Sequence, residues 1–194
     1  MVRILDIENY ARENHIPIML SDGIDFLCDF IKKNNIKKIL EIGSAIGYSA
    51  IRMASVDTDI EVVTIERDKE RYDIAVNNIN ELGLSDRIKI INDDVFNVNI
   101  SDKFDLIFID AAKSQYIKFF EMFHPNLKIG GYVVSDNLSF HGLVESNEVI
   151  ESRNVRGIVR KIRNYIDFLK NNDKYVTNFF DIGDGISISE KVSE

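Results

Sequence analysis

The sequence predicts a three-layer α/β fold built on a mostly parallel sheet. Short apolar runs alternate with segments of helical period along most of the chain. Four of those runs end in an acid, at Glu66, Asp94, Asp110 and Asp136. The last two runs are joined by Gly183–Asp184–Gly185 rather than by a helix, which reads as an antiparallel hairpin. Five βα units followed by a hairpin give a single layered domain, 1–194, with helices on both faces of the sheet.

Each element has its own warrant. Ile4 to Asn14 and Asp22 to Asn34 read as amphipathic helices; Ile24, Leu27, Phe30 and Ile31 share a face, and Ser21 or Asp22 can cap the second helix. These helices (1–36) form an N-terminal lid or interface. Lys37–Ile42 is the first strand, and it runs through Gly43 and Gly47 into a helix ending near Ser55. Glu61–Glu66 is the second strand. Asp68 caps a helix running to Leu82, with Ile74, Val76 and Ile79 inside and Gly83 as its stop. Ile88–Ile91 leads into Asn92–Asp93–Asp94, and Phe104–Ile109 leads into Asp110. Ser114–Phe123 is helical and stops at Pro125. Gly131–Ser135 leads into Asp136–Asn137. After the loop Leu138–Ser152 comes a long helix, Arg153–Lys170, and then strands Tyr175–Ile182 and Ile186–Glu190.

The 194 residues, 45% hydrophobic and 29% charged, suffice for one good core. A formal net charge of −8 repels polyanions over most of the surface, so a nucleic-acid partner needs a local basic patch. The one cysteine, Cys28, sits among Ile24, Leu27 and Ile31 and reads as a small buried hydrophobe. With no apolar leader at the N-terminus and no run of transmembrane length, the expectation is a soluble, cytoplasmic protein without a membrane partner.

The chemistry gathers at the strand ends. The first turn reads E-x-G-x-x-x-G from Glu41, not the G-x-G-x-x-G of dinucleotide binders, and an acid facing the ligand suits a cation better than a pyrophosphate. In an open parallel sheet the ligand crevice lies beyond the carboxyl ends of the strands. The four acids converge there, where unliganded carboxylates would repel one another. Any single one could instead be a helix cap. Glu66 is placed to accept ribose hydroxyls, and Asp94 to meet an adenine amino group. Asp110, Asp136 and Asn137 offer hard oxygen donors that suit Mg2+, with Mn2+ or Ca2+ also admissible, and argue against zinc. Lys113 follows Asp110 by three residues, where a general base or a plain surface lysine would both be at home.

The residues Glu41-x-Gly43-x-x-x-Gly47-Tyr48-Ser49-Ala50, the acid of TIER, FIDAAK and SDN resemble the class I S-adenosylmethionine (SAM)-dependent O-methyltransferases of the catechol and caffeoyl-CoA type. The likeness runs from about His15 to Lys191. It implies a Rossmann-like methyltransferase fold, seven strands with a reversed last strand, SAM, Mg2+ and a homodimer. By motif, Met19, Glu41, Gly43, Ser49, Glu66 and Asp94 would hold SAM, with Asp110 also at the cofactor. Asp110, Asp136 and Asn137 would hold the metal, and Lys113 would act as the catalytic base beside Asp110. Within the family, HIPIM, GYSAIRMA, AVNNI, FIDAAKSQY, HGLV and GDGISIS are most similar to bacterial tRNA 5-hydroxyuridine methyltransferases, which would make the partner a tRNA anticodon arm.

A metal gripping two neighbouring acceptor oxygens suits a catechol as well as 5-hydroxyuridine, so a small phenol remains the alternative. The long helix bears on the choice. Arg153, Arg156, Arg160 and Arg163 fall on one stripe, and the helix holds six Lys/Arg against Asp167 alone. That stripe is either a phosphate-binding rail or an ordinary solvated face. Phe140 and His141, just past the metal ligands, could stack on the acceptor ring. A binding module without catalysis is the reading from another class; it leaves Asp110, Lys113, Asp136 and Asn137 without a purpose.

Overall fold

The computed structural model describes residues 3–146 and 149–194. Seven strands form a mixed α/β sheet, and the chain divides into two compact units, Met1–Asp102 and Lys103–Glu194.

The first unit carries α1 (Ile4–Glu13), α2 (Ser21–Lys33), β1 (Lys38–Ile42), α3 (Tyr48–Ala54), β2 (Glu61–Glu66), α4 (Lys69–Glu81) and β3 (Ile88–Asn92). Its strands run parallel in the order β3-β2-β1, with Ile42 beside Ile65 and Glu66 beside Asn92. Ile39, Leu40, Glu41 and Ile42 are all fully buried, because a parallel strand covered on both faces has no solvent side. Ile24, Leu27 and Ile31 are buried on α2 as their spacing predicts, whereas Phe30 is half-exposed. The start of α2 differs from expectation. Leu20 is its N-cap without a side-chain bond, Ser21 is already helical, and Asp22 accepts the neighbouring Gly23 N–H at 3.0 Å. On α4, Asp68 caps as predicted, accepting Arg71 N–H. The residues of α4 that are buried are Ala75, Asn78 and Ile79, while Ile74 and Val76 are half-exposed.

The second unit carries β4 (Phe104–Ile109), a 3-10 turn (Lys113–Gln115), α5 (Tyr116–Phe123), β5 (Leu127–Ser135), α6 (Arg153–Lys170), β6 (Tyr175–Phe180) and β7 (Ile186–Lys191). The strand order is β4-β5-β7-β6. β4 and β5 are parallel, and β7 runs antiparallel to both β5 and β6, so the reversed last strand is present. Strand β5 begins at Leu127, four residues earlier than expected, and its pairing with β4 shifts register between Phe104 and Leu106. An aromatic cluster closes α5 and α6 over the sheet. Tyr116 meets Tyr165 edge-on at 5.3 Å and Phe120 meets Tyr175 at 4.8 Å, a geometry favoured by the ring quadrupole. Part of the loop Leu138–Ser152, residues 147–148, lies outside the described residues, as do Met1 and Val2 of the N-terminal reading.

Candidate active site

In the first unit the turn after β1 is a cradle of backbone. Gly43, Ala45 and Gly47 all have left-handed φ, at +93°, +45° and +82°. Gly47 is required twice over: its φ penalises any side chain, and a Cβ there would sit 3.2 Å from Ala75 Cβ. Asn78 of α4 supports the turn from beneath, donating from Nδ2 to Ile46 O at 2.9 Å. Glu66, at the end of β2, is locked in place. Its Oε2 accepts Ala45 N–H at 2.9 Å and its Oε1 accepts Asp68 N–H at 2.8 Å. Each carboxylate oxygen can accept a second bond, so the pair remains competent for two ligand hydroxyls. Ser44 Oγ, within the same turn, is buried with no hydrogen-bond partner. An orphaned hydroxyl in a glycine turn fits a bound ligand that brings a polar atom.

Glu41 departs from the expectation of a carboxylate facing the ligand. It is fully buried, and its two oxygens accept the hydroxyls of Ser49 and Thr64, each at 2.5 Å. Thr64 is its register partner on β2. Glu41 and Ser49 therefore complete each other and tie β1 to α3 beneath the turn. Asp94 caps a short 3-10 turn, accepting Phe96 N–H at 3.0 Å. Met19 is buried between α1 and α2 in the chain.

The second unit places Asp110 and Asp136 just beyond adjacent parallel strands, with Ile109 and Ser135 in register. Asp136 N–H donates to Ile109 O at 3.3 Å. Lys113 Nζ donates to Asn137 Oδ1 at 2.6 Å, and Asn137 Nδ2 donates to Asp136 Oδ2 at 3.2 Å. Asn137 has φ +61°, in the left-handed region that asparagine readily adopts. Tyr116 OH donates to Asp136 O at 3.0 Å. Burial, then the charge of Asp110, push the Asp136 carboxyl up to about 7, against the opposing pull of a backbone hydrogen bond and Lys113. Burial also raises Asp110; Lys113 opposes that shift and Asp184 adds to it. The structure thus brings together Asp110, Lys113, Asp136 and Asn137, four of the residues singled out from sequence.

The donors are two carboxylates and one amide oxygen. Among the described residues no group of three or more His, Cys, Asp or Glu side chains is arranged to hold a metal ion. A divalent ion would complete its shell with the Asn137 oxygen and with acceptor or water oxygens, which is the ordinary habit of Mg2+.

Phe140 and His141 follow in left-handed conformations, φ +48° and +59°. The Phe140 ring centroid lies 6.0 Å from Lys113 Nζ. Asp184 went unrecognised in the sequence, where it read only as the middle of a turn. It is buried, and its Oδ1 accepts His141 N–H at 2.5 Å. The only sequence signal is its place between two glycines.

The arginine stripe divides in two. Arg163 donates from Nε to Val144 O at 2.9 Å and from Nη2 to Ser146 O at 3.1 Å. Arg156 donates to Ile150 O at 2.6 Å and Glu151 O at 2.9 Å. Two of the four arginines therefore spend part of their donor capacity on backbone carbonyls of the preceding loop. All four arginines are exposed and, with Ser114, line a cavity of about 1360 Å³.

A glycine cradle with a strand-end acid on a parallel sheet defines an α/β protein built to bind a nucleoside-containing ligand. The chain belongs to the O-methyltransferase family, whose model matches residues 5–192. It is 31% identical to a caffeoyl-CoA O-methyltransferase of Populus kitakamiensis, over 95% of this chain and 82% of that one. A provisionally assigned caffeoyl-CoA O-methyltransferase from Staphylococcus aureus has 40% identity and a TM-score of 0.92, over 98% of this chain and 93% of that chain. TomG of Streptomyces achromogenes, an O-methyltransferase of tomaymycin synthesis solved in complex with SAM, shares the fold at 20% identity. Its TM-score is 0.82, over 98% of this chain and 89% of that one. The protein is a SAM-dependent O-methyltransferase of the caffeoyl-CoA type. The Populus and Staphylococcus relatives are named for a small-molecule acceptor, caffeoyl-CoA. Among the described residues no helix is long and apolar enough to cross a membrane.

Proposed function

We propose that this enzyme methylates one of two neighbouring oxygens on a small aromatic acceptor, a catechol or a phenolic thioester of the caffeoyl-CoA kind. The observation that carries the reading is the group Asp110–Lys113–Asp136–Asn137, an oxygen donor set with a lysine hydrogen-bonded into it. The names of the relatives support the acceptor class.

Glu66 would accept the ribose hydroxyls of SAM, Gly43 would allow close backbone approach, and Ser44 would meet a polar atom of the ligand. Glu41 and Ser49 would act on SAM indirectly, by holding the turn. When bound, SAM supplies an electrophilic methyl group and Mg2+ supplies Lewis acidity to two adjacent oxygens. Asp110, Asp136 and Asn137 would hold that ion. Lys113 would take the acceptor proton at Nζ, and its bond to Asn137 orients it for that work. Phe140 would lie against the acceptor ring and fix the orientation of its attacking oxygen.

A tRNA acceptor is the second reading, favoured by the exposed Arg153, Arg156, Arg160 and Arg163, which line one cavity with Ser114, next to Lys113. One assay separates the two: purified enzyme with SAM and Mg2+ is given caffeoyl-CoA, catechol, or tRNA carrying 5-hydroxyuridine. Methylated phenol, absent after chelation, supports the first reading. Turnover of tRNA alone replaces it with the second, and no transfer to any vicinal oxygen pair defeats both.

A further inference from the structure

We infer that Arg163 of α6 is a positioning residue for acceptor binding, acting through the backbone of the segment Leu138–Ser146. The inference rests on the proposed placing of Phe140 against the acceptor, and it names what sets that placing.

The segment is held at two ends by different chemistry. At its start, Leu138 N–H donates to Gly185 O at 2.9 Å and Ser139 N–H to Asp184 O at 2.8 Å, while Asp184 Oδ1 takes His141 N–H. The hairpin between β6 and β7 thus fixes the near end. Gly185 allows this closeness: a Cβ there would lie 2.6 Å from Ser139 N. At the far end the chain offers carbonyls rather than amides, and Arg163 takes Val144 O and Ser146 O with two separate N–H groups of one guanidinium.

Between these anchors sit Phe140 and His141, both left-handed, a conformation a bulky residue adopts only when its surroundings impose it. Val144 N–H returns to Ser139 O at 3.0 Å and Gly142 N–H to Ser139 Oγ at 3.0 Å, folding the segment back on itself. Ser146 N–H also donates to Gly142 O at 3.2 Å, so releasing the Val144 and Ser146 carbonyls loosens the far end rather than freeing it, and the Phe140 ring then shifts from its place 6.0 Å from Lys113 Nζ. A planar fork sets both carbonyls in one geometry, whereas a lysine would reach one at a time.

The test compares Arg163→Ala, Arg163→Lys and Phe140→Ala in the full chain, with caffeoyl-CoA and SAM as substrates and SAM affinity measured by calorimetry. Arg163→Ala is expected to raise the acceptor KM about 10-fold with kcat largely kept, the signature of lost acceptor positioning. Its SAM affinity and melting temperature should stay near wild type, and Arg163→Lys should recover part of the loss. The effect should persist between ~0.05 and ~0.5 M salt, since backbone carbonyls carry no net charge to screen. An effect that fades with salt means that Arg163 touches an anionic acceptor directly, and the inference is wrong. An unchanged acceptor KM in Arg163→Ala with a raised one in Phe140→Ala also overturns it, leaving the proposed acceptor site intact. If Phe140→Ala leaves the acceptor KM unchanged, the placing of Phe140 fails and the inference falls with it.

Discussion

The acids of the first unit and those of the second are handled in opposite ways. Glu41 and Glu66 each have both oxygens taken up by protein donors, two hydroxyls for the one and two backbone N–H groups for the other. Asp110 and Asp136 stand beyond adjacent strand ends with Lys113 as the nearby cation; burial holds both above the usual carboxylate range, with Asp184 adding to the rise of Asp110 and Asp110 to that of Asp136. The first arrangement is a finished cradle that can receive a ligand without rearranging its charges. In the second, the open side, burial disfavours the charged carboxylates, and Lys113 and the Asn137 donors offset that only in part. On the proposed function, the first site would bind SAM rigidly while the second would bind the acceptor with the help of an ion.

Breaking the open side should cost the most. Lys113→Ala and Asp110→Ala are expected to lower kcat by about 10²–10⁴-fold, the usual worth of a positioned proton acceptor or metal ligand. SAM affinity in the same variants, read by calorimetry, should change little. Wild-type turnover in either contradicts the assigned roles, and a matching loss of SAM binding erases the contrast between the units. On the finished side, Glu66→Ala should weaken SAM binding by about 10–100-fold, as expected for charge-assisted hydrogen bonds worth ~1.5–3 kcal/mol. An unchanged SAM affinity would remove Glu66 from the ligand.

The open side also predicts an effect on stability. For a carboxyl whose folded pKa lies above its unfolded value, the stabilising contribution is complete below the unfolded pKa and disappears as pH rises through the folded one. With Asp136 raised to about 7, the metal-free protein should lose stability from roughly pH 4 to pH 7 and level off above. Asp136→Asn should flatten that slope and be more stable than wild type at pH 8, by about 1–3 kcal/mol, while losing activity. Mg2+ should raise the melting temperature of wild type at pH 8 and do little for the variant. A steeper slope in Asp136→Asn would mean that the charge at this position is compensated in the fold.

Much of this was legible in the residues and some was not, for physical reasons. β2, β4 and α6 lie within the bounds their periodicity sets, because each is a clean apolar or amphipathic run with a marked end. β5 was read short: Gly130–Gly131 looks like a breaker, yet the strand continues through it toward the register shift with β4. α2 starts one residue early, at Ser21 with Leu20 as its cap, within the one or two residues by which helix ends vary. Asn78 and Tyr165 carry polar atoms and were passed over as core, although both are buried with their hydrogen bonds made, Tyr165 OH pairing with Ser135 Oγ at 2.7 Å. The strand-end acids declared themselves by position. Which of them face inward and which keep charge depends on donors distant in the chain, such as Thr64 for Glu41. The stripe of arginines could be seen, but not that Arg156 and Arg163 are committed to carbonyls.

The smallest expected effect gives the sharpest test of the contrast. Glu41→Gln keeps the shape and one carbonyl oxygen for a hydroxyl, and it removes the charge that Ser49 and Thr64 now share. If Glu41 works only beneath the turn, the change should cost about 1 kcal/mol of stability, since one hydroxyl bond loses its charge assistance and the other must reverse, its hydroxyl accepting from the new N–H. SAM affinity should then fall no more than a few-fold, well short of Glu66→Ala. Thr64→Val, which deletes one donor to the same carboxylate, should reproduce the stability loss with equally little effect on SAM. Equal damage to SAM binding from Glu41→Gln and Glu66→Ala would place both acids on the ligand, and the first unit would then hold its own open charge.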